Sequence, residues 1–422
     1  MQLQTWAASD VGQTRKVNED SFLLAPDLGL VAVADGMGGF QRGDVASGLA
    51  CNVLKETVGS HRELIELYKR NPTESTRGSV RAMLEMACQR ACEEIYEASQ
   101  AIAGEGGRMG TTMDALLIIG TTAFIAHVGD GRIFLVRGGE SHQLTEDHSL
   151  VQQQLREGLI TPEEAKKARF KNVITRALGA FPSVLVDSLT FELDRGDRLV
   201  LCSDGLHRYV GHRELSFMVG SQPGDEAVGK LVDLANQRGG RDNITVLAVA
   251  ADSNASDEFV MPVRAHMEVL RRVDLFQFCT YRELMSICQL AQIRVVGKGS
   301  VLFREGEVGR EAFFIQSGTV SIQKNTTQLA LLRPGDYFGE LAFFDTPRRS
   351  ADAITLEDAQ FLVIDRNSFL QMMKQDSELA AKLMWQLLQK VSRLLRASND
   401  RVVAETITLD ELEPLSDPQA FD

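Results

Sequence analysis

Of the 422 residues only six are cysteine, ten proline, five tyrosine and two tryptophan. The cysteines, Cys51, Cys88, Cys92, Cys202, Cys279 and Cys288, form no C-x-x-C pair and follow no regular spacing. That excludes a disulfide framework and predicts small buried hydrophobes in a reducing compartment. Cys88 and Cys92 lie four apart on a predicted helix, but nothing nearby in sequence supplies the other ligands of a metal site. Long apolar runs are missing, so no segment is expected to cross a bilayer. The opening MQLQTWAASD has neither the basic start nor the apolar stretch of a signal peptide. An excess of basic residues is missing too. The 45 Lys and Arg against 58 Asp and Glu give a formal net charge of -13, which disfavours non-specific contact with nucleic acid or an anionic membrane. The chain is expected to be cytoplasmic, with neither of these as a partner.

What is present is a globular composition, 44% hydrophobic and 24% charged, in a chain too long for one ordinary core. Period-two apolar segments recur at SFLLA, GLVAVAD, ALLIIGTTAFIAHVGD, RIFLVRGG, DRLVLCSDG and NITVLAVAA, and helical periodicity runs from Ala46 to Tyr68 and from Gly78 to Ala103. This pattern predicts a layered α/β or α+β domain over 1–251. A polar linker with Pro262 follows over 252–263. The second domain, 264–400, opens with two helical stretches. It then turns to short strands punctuated by Gly297, Gly299, Gly306, Gly309, Gly318, Gly335 and Gly339, the pattern of a small β-barrel or roll. LAAKLMWQLLQKVSRLLRAS then reads as one amphipathic helix, and 401–422 as a loose acidic tail. Neither an internal repeat nor a low-complexity tract is present.

DVGQTRKVNED (Asp10–Asp20) and VAVADGMGG (Val31–Gly39) bring Arg15, Glu19, Asp20 and Asp35 close in sequence. Asp130 in VGDGR, Asp204 in LCSDGL and Asp242 in GRDNITV each sit at a strand end beside or near glycine. Carboxylates at such ends project from a rigid sheet into a shared cleft, and like charges gathered there require a cation or a proton. Oxygen-only ligands suit Mg²⁺ or Mn²⁺ and disfavour zinc. Two such ions ~4 Å apart can activate water and clamp a phosphoryl group. Arg15 has the planar fork that phosphate oxygens accept in bidentate fashion.

The order DVGQTRKVNED, VADGMGG, MGTTMDAL, VGDGR, TEDHS, ITRALG, LVLCSDGL, GGRDNITV resembles the metal-dependent, type-2C Ser/Thr protein phosphatases along the whole first domain. The resemblance implies an α/β/β/α sandwich. It implies that Glu19, Asp35 and the Gly36 carbonyl serve one metal and that Asp35, Asp204 and Asp242 serve the other. Arg15 would hold the substrate phosphate, Asp20 would orient metal-bound water, and Asn243 would steady the site. Asp130 with Asp204 could admit a third ion. Two positions depart from the family. Met37 stands where animal members carry a proposed general-acid histidine, which leaves protonation of the leaving group to metal-bound water. Arg208 stands where many members have Asp or Asn, which puts the third ion in doubt.

His148 in TEDHS is expected to fix a turn, His207 to pack, and Cys202 to face the core. The polar helical stretch between His148 and Gly179, with Thr161 and Glu164 spaced as a capping pair, corresponds to the flap of bacterial relatives and suggests a substrate gate.

In the second domain, RPGDYFGELAFFDTPRRSADA combines a glycine turn, a glutamate, a short apolar helix and two arginines, the makings of an anion site. A glutamate beside an anion makes sense if it binds a hydroxyl such as a ribose 2′-OH. From about Met267 to Ser398 the chain resembles cyclic nucleotide-binding domains, a β-roll with flanking helices. By motif Gly339 makes the tight turn, Glu340 holds ribose, Arg349 pairs with the cyclic phosphate, and the amides of Ala342 and Ser350 add donors. Arg348 falls outside. Ser350, in place of the threonine that favours guanine, inclines the choice to cAMP. Leu383, Leu387 and Leu394 of the long helix would serve as a lid or as the seam of a homodimer.

The expected protein is a bacterial signalling hydrolase. It removes phosphate from phosphoserine or phosphothreonine in proteins, substrates of a Ser/Thr kinase, with two or three Mn²⁺ or Mg²⁺ ions, under control of a cyclic nucleotide. The rival from another class is a nucleotide receptor with an inactive phosphatase fold as docking module; Met37 and Arg208 favour it and the intact carboxylate set opposes it. A transcription factor would need a DNA-binding helix-turn-helix after the long helix, where only the acidic tail stands.

Overall fold

The computed structural model describes residues 2–38, 42–102, 109–168, 170, 173–252, 263–325, 327–343 and 348–410. The chain divides into two compact units, Met1–Arg264 and Ala265–Asp422. The linker residues 253–262 lie outside the described residues.

The first unit is built on two antiparallel sheets. One runs in the order Gln2–Asp10, Ile244–Asp252, Arg198–Cys202, Arg132–Arg137, Glu140–Gln143. The other runs Asp20–Ala25, Leu30–Gly38, Met113–Ile119, Thr122–Val128, Asp187–Glu192, with Met109–Thr111 added beside Leu30–Gly38. Alternation along each strand divides the side chains between two faces. Leu30, Ala32, Ala34, Met113, Ala115, Leu117, Phe124 and Ala126 pack with residues of helices Gly43–Ser60 and Glu74–Ile102 such as Ala50, Leu54, Leu84 and Cys88. Val200, Cys202, Val246 and Ala248 pack with Leu215, Val219, Val228 and Leu231 of helices His212–Ser221 and Gly224–Gln237. The opposite faces of the two sheets meet, so the layers run helix, sheet, sheet, helix.

The periodic stretch from Ala46 to Tyr68 is two helices, Gly43–Ser60 and Arg62–Arg70. Ser60 Oγ donates to the Thr57 carbonyl (2.7 Å) and the His61 ring lies 2.8 Å from the same oxygen, so side chains take up a carbonyl that would continue the helix. Between His148 and Gly179 two short helices form, Leu150–Arg156 and Pro162–Lys167. The second carries the full Thr161–Glu164 capping box with proline in its first turn.

The second unit packs two four-stranded sheets. One has the order Ala291–Val296, Ala359–Asp365, Glu311–Ser317, Tyr337–Phe338; the other Val301–Phe303, Asp352–Thr355, Val320–Lys324, Thr327–Leu332. Phe313, Phe338 and Phe361 fill the space between them, with Phe303 packed alongside. The last helix spans Ser377–Asp410, so 401–410 is helical where acidic composition predicts a loose tail; neither glycine nor proline interrupts the sequence there. Residues 411–422 lie outside the described residues. Leu383 (0% exposed) and Leu387 (8%) are buried within the unit, which removes them from any dimer seam. Lys382 donates to Glu283 (2.8 Å), Gln277 to Gln386 (3.1 Å) and Lys390 to Glu340 (2.8 Å), a polar row at four-residue spacing that seats the helix.

Candidate functional site

At one end of the paired sheets the strands deliver their aspartates to a common place. Asp20 opens its strand directly opposite Asp35 in the neighbouring one. Asp130 precedes Arg132–Arg137, Asp204 follows Arg198–Cys202, and Asp242 precedes Ile244–Asp252. Asp20, Asp130 and Asp204 are buried, and Asp35 feels the charge of all three and of Asp242. Burial is the first cause of their raised proton affinity and mutual repulsion the second: Asp20 and Asp130 are pushed up to about 7, Asp204 to about 6, and Asp35 well above the usual carboxylate range.

Hydrogen bonds fix how these carboxylates point. Ser203 Oγ donates to Asp20 Oδ2 (2.8 Å) and accepts from the Thr245 amide (3.0 Å). Thr111 Oγ1 and the Thr112 amide both donate to the Asp35 carbonyl, each at 2.9 Å. Asn243 ties three segments together: its Oδ1 accepts from the Glu19 amide (2.9 Å), and its Nδ2 donates to the carbonyls of Val11 (3.0 Å) and Val17 (2.9 Å). Glu19 Oε1 accepts from the Gly43 amide (3.0 Å) at the start of its helix. Gly36 lies so close beneath that turn that a Cβ on it would stand 2.1 Å from the Gly43 carbonyl and 2.4 Å from that of Glu19. Arg15, half exposed, pairs its fork with both oxygens of Asp242, Nε to Oδ1 at 2.9 Å and Nη2 to Oδ2 at 3.0 Å. All nine residues that the sequence marks for the first site therefore belong to one end of one unit.

These residues fit a divalent cation. Every donor is an oxygen, and two buried carboxylate oxygens, Asp20 Oδ1 and Asp204 Oδ1, have no hydrogen-bond partner. No three His, Cys, Asp or Glu side chains among the described residues close into a cage by themselves. An ion here would complete its shell with water, as Mg²⁺ commonly does.

Several participants escape a motif reading. Ser203 and Thr112 are visible in sequence only as neighbours of aspartates. His207, whose proton affinity burial pushes down to about 3, donates Nε2 to the Asp130 carbonyl (2.8 Å). His148 does fix a turn: its Nδ1 accepts from the Gly129 amide (3.1 Å), and its carbonyl accepts from Thr175 (2.7 Å). Asp114, the aspartate of MGTTMDAL, forms a fully buried pair with His127 (2.8 Å), a partner the motif does not name. Arg208 pairs with Asp204.

In the second unit Arg349 is the buried arginine and Arg348 the exposed one. The Arg349 guanidinium donates to the carbonyls of Gly339 (3.2 Å) and Glu311 (2.9 Å) and stacks 4.0 Å from the Phe303 ring centroid. Its Nε has no partner, and burial lowers its proton affinity. A desolvated guanidinium without a bonded carboxylate favours an anion. Gly339 has φ +78°, and a Cβ there would stand 2.5 Å from Arg349 Nη1, so the turn and the arginine require glycine. Glu340 opens the 3₁₀ turn Glu340–Phe343, which contains the Ala342 amide; Ser350 follows Arg349 and is exposed. The Glu340 carboxylate accepts from Lys390, whose Nζ lies 3.8 Å from the Tyr337 ring centroid. A hydroxyl bound by Glu340 must share or displace that ammonium.

The family profile described as Protein phosphatase 2C matches residues 13–243. The chain belongs to the protein phosphatase 2C family. A second profile, Cyclic nucleotide-binding domain, matches residues 293–376. Protein phosphatase PhpP of Streptococcus pneumoniae is 37% identical over 261 residues, 59% of this chain and 98% of PhpP. The solved structure of the Mycobacterium tuberculosis serine/threonine phosphatase PstP/Ppp aligns with a TM-score of 0.52 at 34% identity, over 60% of this chain and 99% of that one. The catalytic domain of PstP in complex with two manganese ions aligns at 0.50 and 34% identity, over 60% of this chain and 99% of that one. The first unit is thus a protein-serine/threonine phosphatase domain, joined to a cyclic nucleotide-binding domain. Among the described residues no helix is long and apolar enough to cross a membrane.

The raised carboxyls give the phosphatase unit a pH signature. Folded, Asp20, Asp130 and Asp204 hold protons up to pH 6–7, whereas unfolded they release them near 3.9. The folded state binds more protons in that window, so stability falls as pH rises from about 4 to about 7 and stays low above it. Melting in EDTA should occur at lower temperature at pH 8 than at pH 5.5. Mn²⁺, which replaces the protons, should raise Tm more at pH 8. A Mn²⁺ shift that is larger at pH 5.5 would contradict this account.

Proposed function

We propose that this phosphatase hydrolyses phosphoserine and phosphothreonine in substrates of a Ser/Thr kinase with two divalent ions, Mn²⁺ or Mg²⁺, and that a cyclic nucleotide, cAMP in preference to cGMP, sets its turnover. The observation that carries the hydrolytic reading is the convergence of four carboxyls with raised proton affinity, Asp20, Asp35, Asp130 and Asp204, two of them with an unpartnered oxygen, beside the fork of Arg15 on Asp242. Glu19, Asp35 and the Gly36 carbonyl would hold one ion, and Asp35, Asp204 and Asp242 the other. The ions, when bound, supply Lewis acidity toward phosphoryl oxygens and lower the pKa of water. Asp20, anchored at Oδ2 by Ser203, offers Oδ1 to take a proton from the attacking water and so orient it. Asp242, which now takes the Arg15 fork on both oxygens, would share them with an ion, and the fork so freed fits two phosphate oxygens of the substrate. Asn243 keeps the Arg15 loop and Glu19 in register. Met37 has no proton to give, so the leaving alkoxide takes its proton from water.

Asp204→Asn and Asp242→Asn each remove a ligand charge from a rigid strand end. We expect each to lower Mn²⁺-dependent kcat/KM on a phosphopeptide by at least ~100-fold while the cooperative melt is retained. Near-normal turnover in both variants would defeat the two-ion reading.

For the second unit, Arg349 with its open Nε supports the cyclic phosphate, Glu340 the ribose, and the amides of Ala342 and Ser350 complete the cradle. At about a hundred times Kd, cAMP should stabilise this unit by roughly 2.7 kcal/mol. Arg349→Ala should lose that gain and Arg348→Ala keep it, while Lys390→Met, which frees Glu340, should tighten binding. Phosphopeptide hydrolysis with and without cAMP and cGMP tests the regulatory arm. A nucleotide that binds but leaves kcat and KM unchanged would reduce the second unit to an anchor.

The long helix also supports a homodimer through a stripe different from the one its sequence suggests. Met384, Leu388, Val391 and Leu395, at spacings of four, three and four, are exposed, as is Trp385. Leu388→Glu should convert a dimer to a monomer in light scattering; an unaltered mass would place the contact elsewhere.

A further inference from the structure

We propose that Arg208 is a resident cation of the phosphatase site, standing between Asp204 and Asp130 where a third divalent ion would otherwise bind, so that the chain loads two ions and not three. The inference rests on the assignment of Asp35, Asp204 and Asp242 as metal ligands and adds a limit to it.

The geometry begins with the turn Asp204–His207. Arg208 is its helical cap residue, four positions after Asp204, and its amide donates to the Asp204 carbonyl at 3.2 Å. That spacing returns the side chain to the face that carries Asp204, and Arg208 Nη2 donates to Asp204 Oδ2. The other oxygen, Oδ1, is buried without a partner. Asp204 therefore has one oxygen committed to a fixed guanidinium and one left for an ion. A second ion that binds Asp204 through Oδ2 would have to displace that guanidinium.

Asp130 is held to the same turn. His207, the residue before Arg208, donates Nε2 to the Asp130 carbonyl at 2.8 Å. Arg208 acts on the charge of both Asp130 and Asp204, and it is the basic side chain common to the two. The usual reason to recruit a cation there, two buried carboxylates that repel each other, is met in part by a group on the chain. Because a guanidinium stays protonated at every pH at which the fold survives, this charge does not depend on the supply of metal. An aspartate or asparagine at position 208 would instead offer an oxygen and leave the pair in need of an ion.

The test is a count of bound Mn²⁺ on the full chain, by equilibrium dialysis and by the loss of the free-ion electron paramagnetic resonance signal, at Mn²⁺ up to millimolar. Wild type should bind two ions, Arg208→Asp three, and Arg208→Lys, which keeps the charge, two. A cooperative melt raised by Mn²⁺ certifies the fold of each variant. Should Arg208→Asp fail to fold, Arg208→Asn replaces it with the same expectation of a third ion. Three ions on wild type, or two on the folded Asp and Asn variants, overturn the role of Arg208 alone. Fewer than two ions on wild type overturn the metal assignment itself, and this proposal with it.

Discussion

The repulsion among buried aspartates at one end of a rigid sandwich is the constraint around which the first unit is arranged. Flexible carboxylates would move apart into water. These cannot, because Asp20 and Asp35 face each other across a strand pair and Asp204 and Asp242 are set by adjacent strands of the opposing sheet. Holding like charges together costs stability in proportion to how firmly they are held, and the surroundings are built to hold them firmly. Asn243 bonds three backbone groups at once, and Ser203 is bonded on both sides. The close approach of Gly36 to the carbonyls of Gly43 and Glu19 leaves the loop no slack. The stability given up to hold these carboxyls together is what a bound cation would return.

The pair Asp114 and His127 shows the other way to bury a carboxylate. Both are fully buried, and His127 also bonds the Glu146 carbonyl at 2.9 Å. Burial alone lowers the proton affinity of His127, but the Asp114 carboxylate outweighs it and the net shift is upward; burial raises that of Asp114. One proton shared between the two answers the buried charge, although Asp114 Oδ2 keeps no hydrogen-bond partner. The contrast explains why a count of acidic residues does not locate a metal site: what matters is whether the chain supplies the compensating charge. In the aspartate cluster it does so only in part, through Arg15 at Asp242 and Arg208 at Asp204.

Much of this was legible in the sequence, for identifiable reasons. Strand-end aspartates are announced by the apolar alternation that precedes or follows them, and backbone rigidity makes those positions predictable without side-chain detail. The layered fold follows from the same alternation, and the capping box at Thr161 from a spacing of three. The break at His61 was not legible, because it depends on Ser60 and His61 turning back on one carbonyl. Nor was the burial of Leu383 and Leu387: an amphipathic stripe states that a helix packs, not which of its neighbouring apolar rows faces its own domain. Arg208 stands four residues after Asp204, the spacing that pairs them, whereas His207 carried no such signal. Its partner, the Asp130 carbonyl, is met only once the strands have brought the two loops together.

The two cradles are electrostatic opposites, and that bears on how one chain can use both. The first is short of positive charge. The second has a buried Arg349 with an open donor, a shortage of negative charge softened by an aromatic face and two carbonyls. Each leaves a buried polar atom without a partner, so a ligand that supplied one would stabilise its unit. In the second unit the carboxylate that could serve a hydroxyl, Glu340, is already engaged by Lys390 of the long helix. A ligand that spans Arg349 and Glu340 must therefore work against the seating of that helix at one of its polar contacts, while Lys382 and Gln386 hold the others. Lys390 thus ties the glutamate of the pocket to the part of the helix that carries exposed Val391 and Leu395, and a hydroxyl on Glu340 would act first on that tie.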